Sequence, residues 1–327
     1  MPLTVKNTSD NSIIHQNNYA DNSFNTKELV EGTKQISLPH GEGIMQQWYF
    51  GGIRMGYSNW KYTDYASTKW ESDLDMVHMN FNLRGRTVTH NHKTGLRSTM
   101  NSYEHNLYYS NGFSGTIRNE ELYSETFIIQ FTKDVFLSLT QSATDAYKRF
   151  GEAFLEGKPM QLSAENMFID LPLHNAIRAI LQCNYPAALK KLFLHAKCME
   201  ILVLQADAYE RQHNSKSKSY IKTDYDKERI LFARDYLIQH LDLPPSLTEL
   251  SRIAGINEFK LKRGFKECFN HTVFGYLADY RLEIAKNSLL VGEKSPSQLA
   301  YDLGYSSLQH FSSAFKKKFG MSPREVK

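Results

Sequence analysis

SLTELSRIAGINEFKLKRGFKECF (246–269) and SPSQLAYDLGYSSLQHFSSAFKKKF (295–319) are two copies of one unit. Each opens on a serine with Glu or Gln three residues on: Ser246 with Glu249, Ser295 with Gln298. That is the capping-box pattern, in which two side chains satisfy the orphan N–H groups of a helix start. Pro296 sits where a missing N–H costs nothing. A glycine turn follows in each, Gly255-Ile256 and Gly304-Tyr305, and then a second helix, from Asn257 to Phe269 and from about Ser307 to Phe319. Leu250 and Gly255 correspond to Leu299 and Gly304 at an offset of 49, whereas Leu261, Phe265, Lys266 and Phe269 correspond to Phe311, Phe315, Lys316 and Phe319 at 50. The second turn is therefore one residue longer. Helix, short glycine turn, helix is the helix-turn-helix pattern. Ser322, Pro323 and Glu325 repeat the capping signature and predict one more helix start.

The second helix of each copy is amphipathic. Leu261, Phe265 and Phe269 recur every four residues and predict the buried stripe, as do Phe311, Phe315 and Phe319. The opposite face of the first carries Lys260, Lys262, Arg263 and Lys266; that of the second offers Gln309, His310, Ser312, Ser313 and Lys316. Lys and Arg neutralise phosphates or donate to guanine, Gln reads adenine, and Ser reads either. One basic helix face is usually a solvated surface. Two capped copies behind glycine turns point instead to double-stranded DNA.

Working outward, residues 224–327 read as helical throughout, and HNSKSKSY (213–220) lies in a polar linker spanning 213–223. Upstream, LKKLFLHAKCMEILVLQADAYE belongs to a helix over 186–211, with Leu189, Leu192, Phe193, Ala196, Met199 and Val203 on one face. That stripe is suited to the protein's own sensor or to a second copy. The helical segment spans 136–212 and is a candidate for dimerisation. Residues 36–135 read as β: Val77, Met79, Phe81 and Leu83 alternate with His78, Asn80 and Asn82, and turn signals recur at Gly51-Gly52, Gly85, Gly95 and Asn111-Gly112. Residues 1–35 are polar and Asn-rich and read as a loose arm. The expected fold is α+β and multidomain: a β-rich, barrel or cupin-like sensor with helices, then an all-α double helix-turn-helix domain.

These residues resemble the AraC family of transcription regulators. GYSSLQHFSSAFKKKFGMSPREV is similar to that family's closing signature, and LTELSRIAGINEFKLKRGFKECFNHTVFGYLADYRLEIAKNSLL to its first unit and linker helix. The resemblance implies a bilobed domain whose two recognition helices enter successive major grooves about 34 Å apart, held by a linker helix at Thr272–Leu290. It implies base and phosphate contacts at Phe259, Lys262 and Arg263, and at Leu308, Gln309, Ser312 and Ser313, with Ser307 opening the second helix. The family often has Arg where Ser313 stands. RNA polymerase is an implied partner. LPHGEGIMQQWYFGGIRMGYSNW, NFNLRG and KLKRGFKE resemble the pyochelin-responsive subgroup, which implies an effector such as a siderophore.

Trp48, Trp60, Tyr62 and Trp70 fall in an aromatic-dense stretch and are the candidate effector-binding residues, since aromatic-lined concave sites suit flat ligands. His90 and His92 flank one residue on a strand-like segment, a spacing that suits metal, but THNHKTG reads as a hairpin turn and no acid follows at short range. No metal or cofactor is expected. No nucleophile–base set, P-loop or dinucleotide fingerprint occurs, so no enzyme is expected. The alternatives are a metal-binding cupin-like enzyme fused to a DNA-binding module, and a ligand-independent dimeric regulator.

The formal net charge of +4 is too mild to assign a nucleic-acid partner by itself. Cys183, Cys198 and Cys268 form neither a disulfide framework nor a zinc spacing. No apolar signal core or membrane-length run occurs, and a cytoplasmic protein is expected.

Overall fold

The computed structural model describes residues 2–18, 24–38, 40–65, 67–214, 219–221, 223–292 and 294–326. The chain divides into two compact units, Met1–Lys216 and Ser217–Lys327.

The first unit holds strands β1 (Pro2–Asn7), β2 (Ile13–Asn18), β3 (Val30–Leu38), β4 (Gly41–Phe50), β5 (Ile53–Tyr62), β6 (Ser67–Arg84), β7 (Thr87–Asn91), β8 (Arg97–Met100), β9 (Glu104–Asn119) and β10 (Tyr123–Phe131). Helices α1 (Lys133–Thr140) and α2 (Asp145–Leu155), short strands β11 (Met160–Gln161) and β12 (Met167–Phe168), and helices α3 (Leu171–Leu181) and α4 (Ala187–Asn214) follow. The antiparallel sheet runs β3-β4-β5-β10-β6-β9-β7-β8, with β1, β11 and β12 paired at β6 or β9.

Alternation decides its two faces. Met55, Val77, Met79, Phe81, Leu107, Phe127 and Ile129 are buried against Phe136, Phe150, Phe154, Ile177, Leu194 and Ile201 of the helices. Burying each such side chain contributes about 1.5–3 kcal/mol. Directly opposed partners point to one side of a sheet. By register, Tyr49, Arg54, Gln130, His78 and Tyr108 therefore form one row on the other face.

Three expectations are corrected here. The described residues of 1–35 are not a loose arm: β1 pairs with β6, and Leu3 and Phe24 are buried with Leu74 and Met76. Leu3 and Val5 alternate with polar residues, so the Asn-rich composition hides a strand paired on both sides, with β2 and with β6. Second, helices α1–α4 share the core of the sheet, so 36–135 and 136–212 are not separate bodies. Third, the buried face of α4 is Leu194, Cys198, Ile201, Leu202, Gln205, Ala208 and Tyr209. Of the stripe expected on that helix, Phe193 and Met199 are half-buried, while Leu189, Leu192, Ala196 and Val203 are exposed.

The second unit holds α5 (Asp224–Gln239), α6 (Leu247–Ala254), α7 (Glu258–Phe269), α8 (Val273–Val291), α9 (Pro296–Asp302) and α10 (Leu308–Phe319). Both capping boxes form, at Ser246/Glu249 and Ser295/Gln298. Gly255 and Gly304 take left-handed backbone at φ 66° and 68°. Ser322 donates its N–H to Glu325 Oε2 at 2.5 Å, but the signature closes a turn rather than opening a helix. The expected linker 213–223 falls partly on 215–218 and 222, outside the described residues. His213 and Asn214 complete α4, and Ser219–Ile221 packs on α7.

Candidate nucleic-acid interface

Helices α6 and α9 are set by their capping boxes, and α7 and α10 by the side chains of Asn257 and Ser307 accepting from the N–H groups of Lys260 and His310. Leu261, Phe265 and Phe269 bury in α7 and Phe311 and Phe315 in α10, while Phe319, the third residue of the expected second stripe, is half-buried against the same core. In the second lobe Leu282, Leu299 and Leu303 close over the phenylalanines. What remains outward is the set available to a partner.

On α7 that face carries Phe259, 59% exposed, with Lys262, Arg263 and Lys266. Lys262 stands 3.6 Å from Glu258 across an exposed pair, an interaction worth little in water. Glu258 in turn is held below the usual carboxylate range, first by the hydroxyl of Thr248 and then by the Lys262 charge. The Lys266 ammonium donates to the carbonyl of Asn270 at 2.8 Å. Lys260 departs from the expected set. Its ammonium lies 2.8 and 3.0 Å from the two carboxylate oxygens of Asp226, which is buried at the start of α5. Lys260 thus ties α7 to α5.

On α10, Gln309, Ser313 and Lys316 are exposed on one side, which the 100° step of a helix brings together. Leu308 is 37% exposed, and Ser312 is half-buried beside the phenylalanine stripe. The hydroxyl of Ser307 is engaged as the helix cap. His310 Nδ1 lies 2.7 Å from Ser306 Oγ. Lys317 is exposed next to Lys316 and was not in the sequence-derived set. The run Lys316–Lys318 was a signal that could have found it. Lys318 instead faces Asp279 and Glu283 of α8 at 3.5 and 3.1 Å.

The aromatic set in the first unit does not converge. Trp48 opposes Met55 and is buried among the helix-facing core residues. Trp60 lies on the opposite face, its ring stacked on Tyr62 at 5.9 Å and 8°. Trp70 donates its indole N–H to Thr68 at 2.8 Å and packs with Leu3, Phe24, Leu74 and Met76. The face that carries Trp60 also carries the row of Arg54, Gln130 and His78. The Arg54 guanidinium donates to Gln130 Oε1, and Gln130 Nε2 meets His78 Nδ1 at 2.7 Å. Burial, followed by the charge of Arg54, holds His78 down at about 4. The alternation of His78, Asn80 and Asn82 along β6 was the sequence signal for this face. The rings of His90 and His92 lie 4.8 Å apart. Among the described residues no group of three or more His, Cys, Asp or Glu side chains gathers to hold a metal. No described helix is long and apolar enough to cross a membrane.

Residues 41–220 match the family model of the regulatory protein PchR N-terminal domain, and 250–327 that of a helix-turn-helix domain. Among curated relatives, the regulatory protein PchR of Pseudomonas aeruginosa is 36% identical over 110 residues, 34% of this chain and 37% of that protein. The probable transcriptional regulator LumQ of Photobacterium leiognathi is 36% identical over 89 residues, 27% of this chain and 36% of that one. The matched part of the chain thus spans little more than a third of either relative. A solved AraC-type DNA-binding domain protein of Chromobacterium violaceum is 26% identical, covering 32% of this chain and 93% of that one at a TM-score of 0.30.

Proposed function

Because the chain belongs to the AraC-type regulators that carry the PchR N-terminal domain, we propose that it is a sequence-specific DNA-binding transcription regulator. Helices α7 and α10 enter two successive major grooves on one side of the duplex. The observation that carries this reading is the duplication itself. Two capped helix pairs each bury a phenylalanine-containing stripe and leave outward a face that can reach phosphates and base edges: Lys262, Arg263 and Lys266 on one, Gln309, Ser313 and Lys316 on the other. Phosphate contacts set affinity and register, and base-edge contacts specify sequence.

The polar face of the sheet is the place for a small-molecule effector, with Trp60 and Tyr62 as a stacking wall and Arg54, Gln130 and His78 as polar groups that orient it. A flat, aromatic ligand such as a siderophore suits this lining. Trp48 is not part of it, because its ring belongs to the core.

Helix α4 self-associates. Leu189, Leu192, Ala196, Met199 and Val203 recur at intervals of three and four, and Leu192 and Val203 are 66% and 67% exposed. That is the seam spacing of paired helices. Two copies then place two DNA-binding units on adjacent half-sites, raising affinity through effective concentration. RNA polymerase is the further partner of such a regulator, the cytoplasm is its compartment, and no catalytic step is assigned to it.

The test is selection of duplexes from a random pool by the full-length chain, followed by footprinting. A selected site protected over two patches about one helical turn apart, with affinity falling steeply as salt rises, supports the reading. Failure to select any duplex overturns it.

A further inference from the structure

The short segment preceding α5 lies on the flank of α7, next to the residues expected to read bases. Glu267 is an acidic residue on the exposed side of α7, one turn from Arg263 and next to Lys266. A carboxylate there is unfavourable against phosphate unless it is engaged elsewhere. It is engaged: Glu267 accepts from the Ser219 hydroxyl at 2.5 Å and from the Tyr220 N–H at 2.8 Å. Gly264, the small residue on the adjoining side of the helix, admits Ile230 and Ile221; a Cβ there would stand 2.8 Å from Ile230 Cδ1 and 3.5 Å from Ile221 Cγ1. Ser219–Ile221 is thereby fixed to α7 at both ends. Between these anchors the Tyr220 ring meets Phe259 edge-on, with centroids 5.8 Å apart at 74°. The Arg263 guanidinium sits over both rings, 5.3 Å from the Tyr220 centroid and 5.8 Å from that of Phe259.

We propose that Tyr220 is a positioning residue for base readout: its ring, held against α7 by Glu267, fixes the Arg263 guanidinium in the orientation that meets a base edge. This rests on the DNA-binding reading above. An unsupported arginine samples many rotamers and loses that freedom on binding, whereas a planar guanidinium held on aromatic faces is already ordered. An exposed cation–π contact biases the side chain by about two- to fivefold. The gain falls only on base pairs that Arg263 reads.

The experiment uses the full chain and a duplex it has selected from a random pool, with single base-pair variants across the α7 half of the site. Tyr220→Ala is expected to weaken binding by about two- to fivefold and to flatten the mismatch penalty at the same base pairs as Arg263→Ala. Tyr220→Phe, which keeps the ring, is expected to bind as the wild type does. In an Arg263→Ala background, Tyr220→Ala is expected to add nothing. Additive losses in the double variant overturn the inference. So do flattening at other base pairs, a Tyr220→Phe loss equal to that of Tyr220→Ala, and unchanged or tighter binding by Tyr220→Ala. A wild-type chain that selects no duplex overturns the DNA-binding reading together with this one, whereas a selecting wild type with any of those variant results overturns this one alone.

Discussion

Gly304 lies so close to Asp242 that a Cβ on residue 304 would stand 2.1 Å from the Asp242 carbonyl oxygen. The turn of the second helix pair is pressed against the loop that ends α5 in the first lobe. Arg281 of α8 completes the contact: its Nε donates to the Leu241 carbonyl at 2.8 Å. Leu241 itself packs on the core of the second lobe. The turn before α10 is thus held against the end of α5 by a backbone contact at Gly304 and by the Arg281 and Leu241 side chains.

Gly304→Ala should accordingly destabilise the protein by about 2–4 kcal/mol, combining left-handed strain with a clash no rotamer can relieve. Gly292→Ala is the control. It has the same backbone sign, φ 72°, and nothing within 4 Å of the added carbon, so its cost should be only about 1 kcal/mol. Urea unfolding followed by helical circular dichroism measures both, and equal losses would contradict the packing argument.

Lys260 and Lys262 should behave differently although both are lysines of the same helix. Lys260→Ala leaves the buried Asp226 carboxylate without this ammonium, and is expected to lower stability by about 1 kcal/mol with base preference unchanged. Lys262→Ala should leave stability within about 0.5 kcal/mol and weaken DNA binding by about 1–3 kcal/mol if it reaches a base edge. Melting curves and affinities measured on both variants separate the two roles.

The first unit should lose stability below neutral pH. His105 is buried against Phe81, with Nδ1 3.1 Å from Gln205 Nε2 of α4. Burial foremost holds it at about 3, while His78 sits at about 4, against 6.5 for a free histidine. Both folded values are depressed, so the unfolded chain binds more protons once pH drops below about 6.5. Stability then falls with pH from about 6.5 down to between 4 and 3, and is insensitive to these groups above 7. His105→Gln removes one titrating group and should flatten that slope; denaturation midpoints between pH 7 and 5 check it. An unchanged slope in both His105→Gln and His78→Gln would contradict the assignment.

Leu192→Asp and Val203→Asp place charges on the exposed side of α4. The wild type is expected to sediment as a dimer at micromolar concentration and each variant as a monomer that remains folded. A wild type that stays monomeric with and without DNA would rule out α4 as the seam.

The helix-turn-helix pair was legible because its determinants are local. Ser246, Ser295, Gly255 and Gly304 act through hydrogen bonds and backbone angles within a few residues, and the phenylalanine stripes fix which side is buried. The Lys260–Asp226 pair was not legible because Asp226 lies on another helix, out of reach of periodicity. Tyr220 was invisible for the same reason, set in a polar stretch whose packing depends on Glu267. In the first unit the alternation along β6 announced a sheet, but not which faces meet. Trp48 and Trp60 look equivalent as aromatic residues in one stretch, and only the register of β4 against β5 puts them on opposite faces. Leu3 and Val5 do not announce β1, because two apolar residues in an Asn-rich segment do not reveal a strand without the strands it joins, β2 and β6.

The central claim is that α7 and α10 read two separate patches of one duplex. Footprinting of Arg263→Ala and Gln309→Ala on a site selected by the wild type tests it most directly. Each variant is expected to lose protection over its own bases, the two losses lying about 10 base pairs apart, with the other patch retained. Loss of protection by both variants over the same bases would contradict the account.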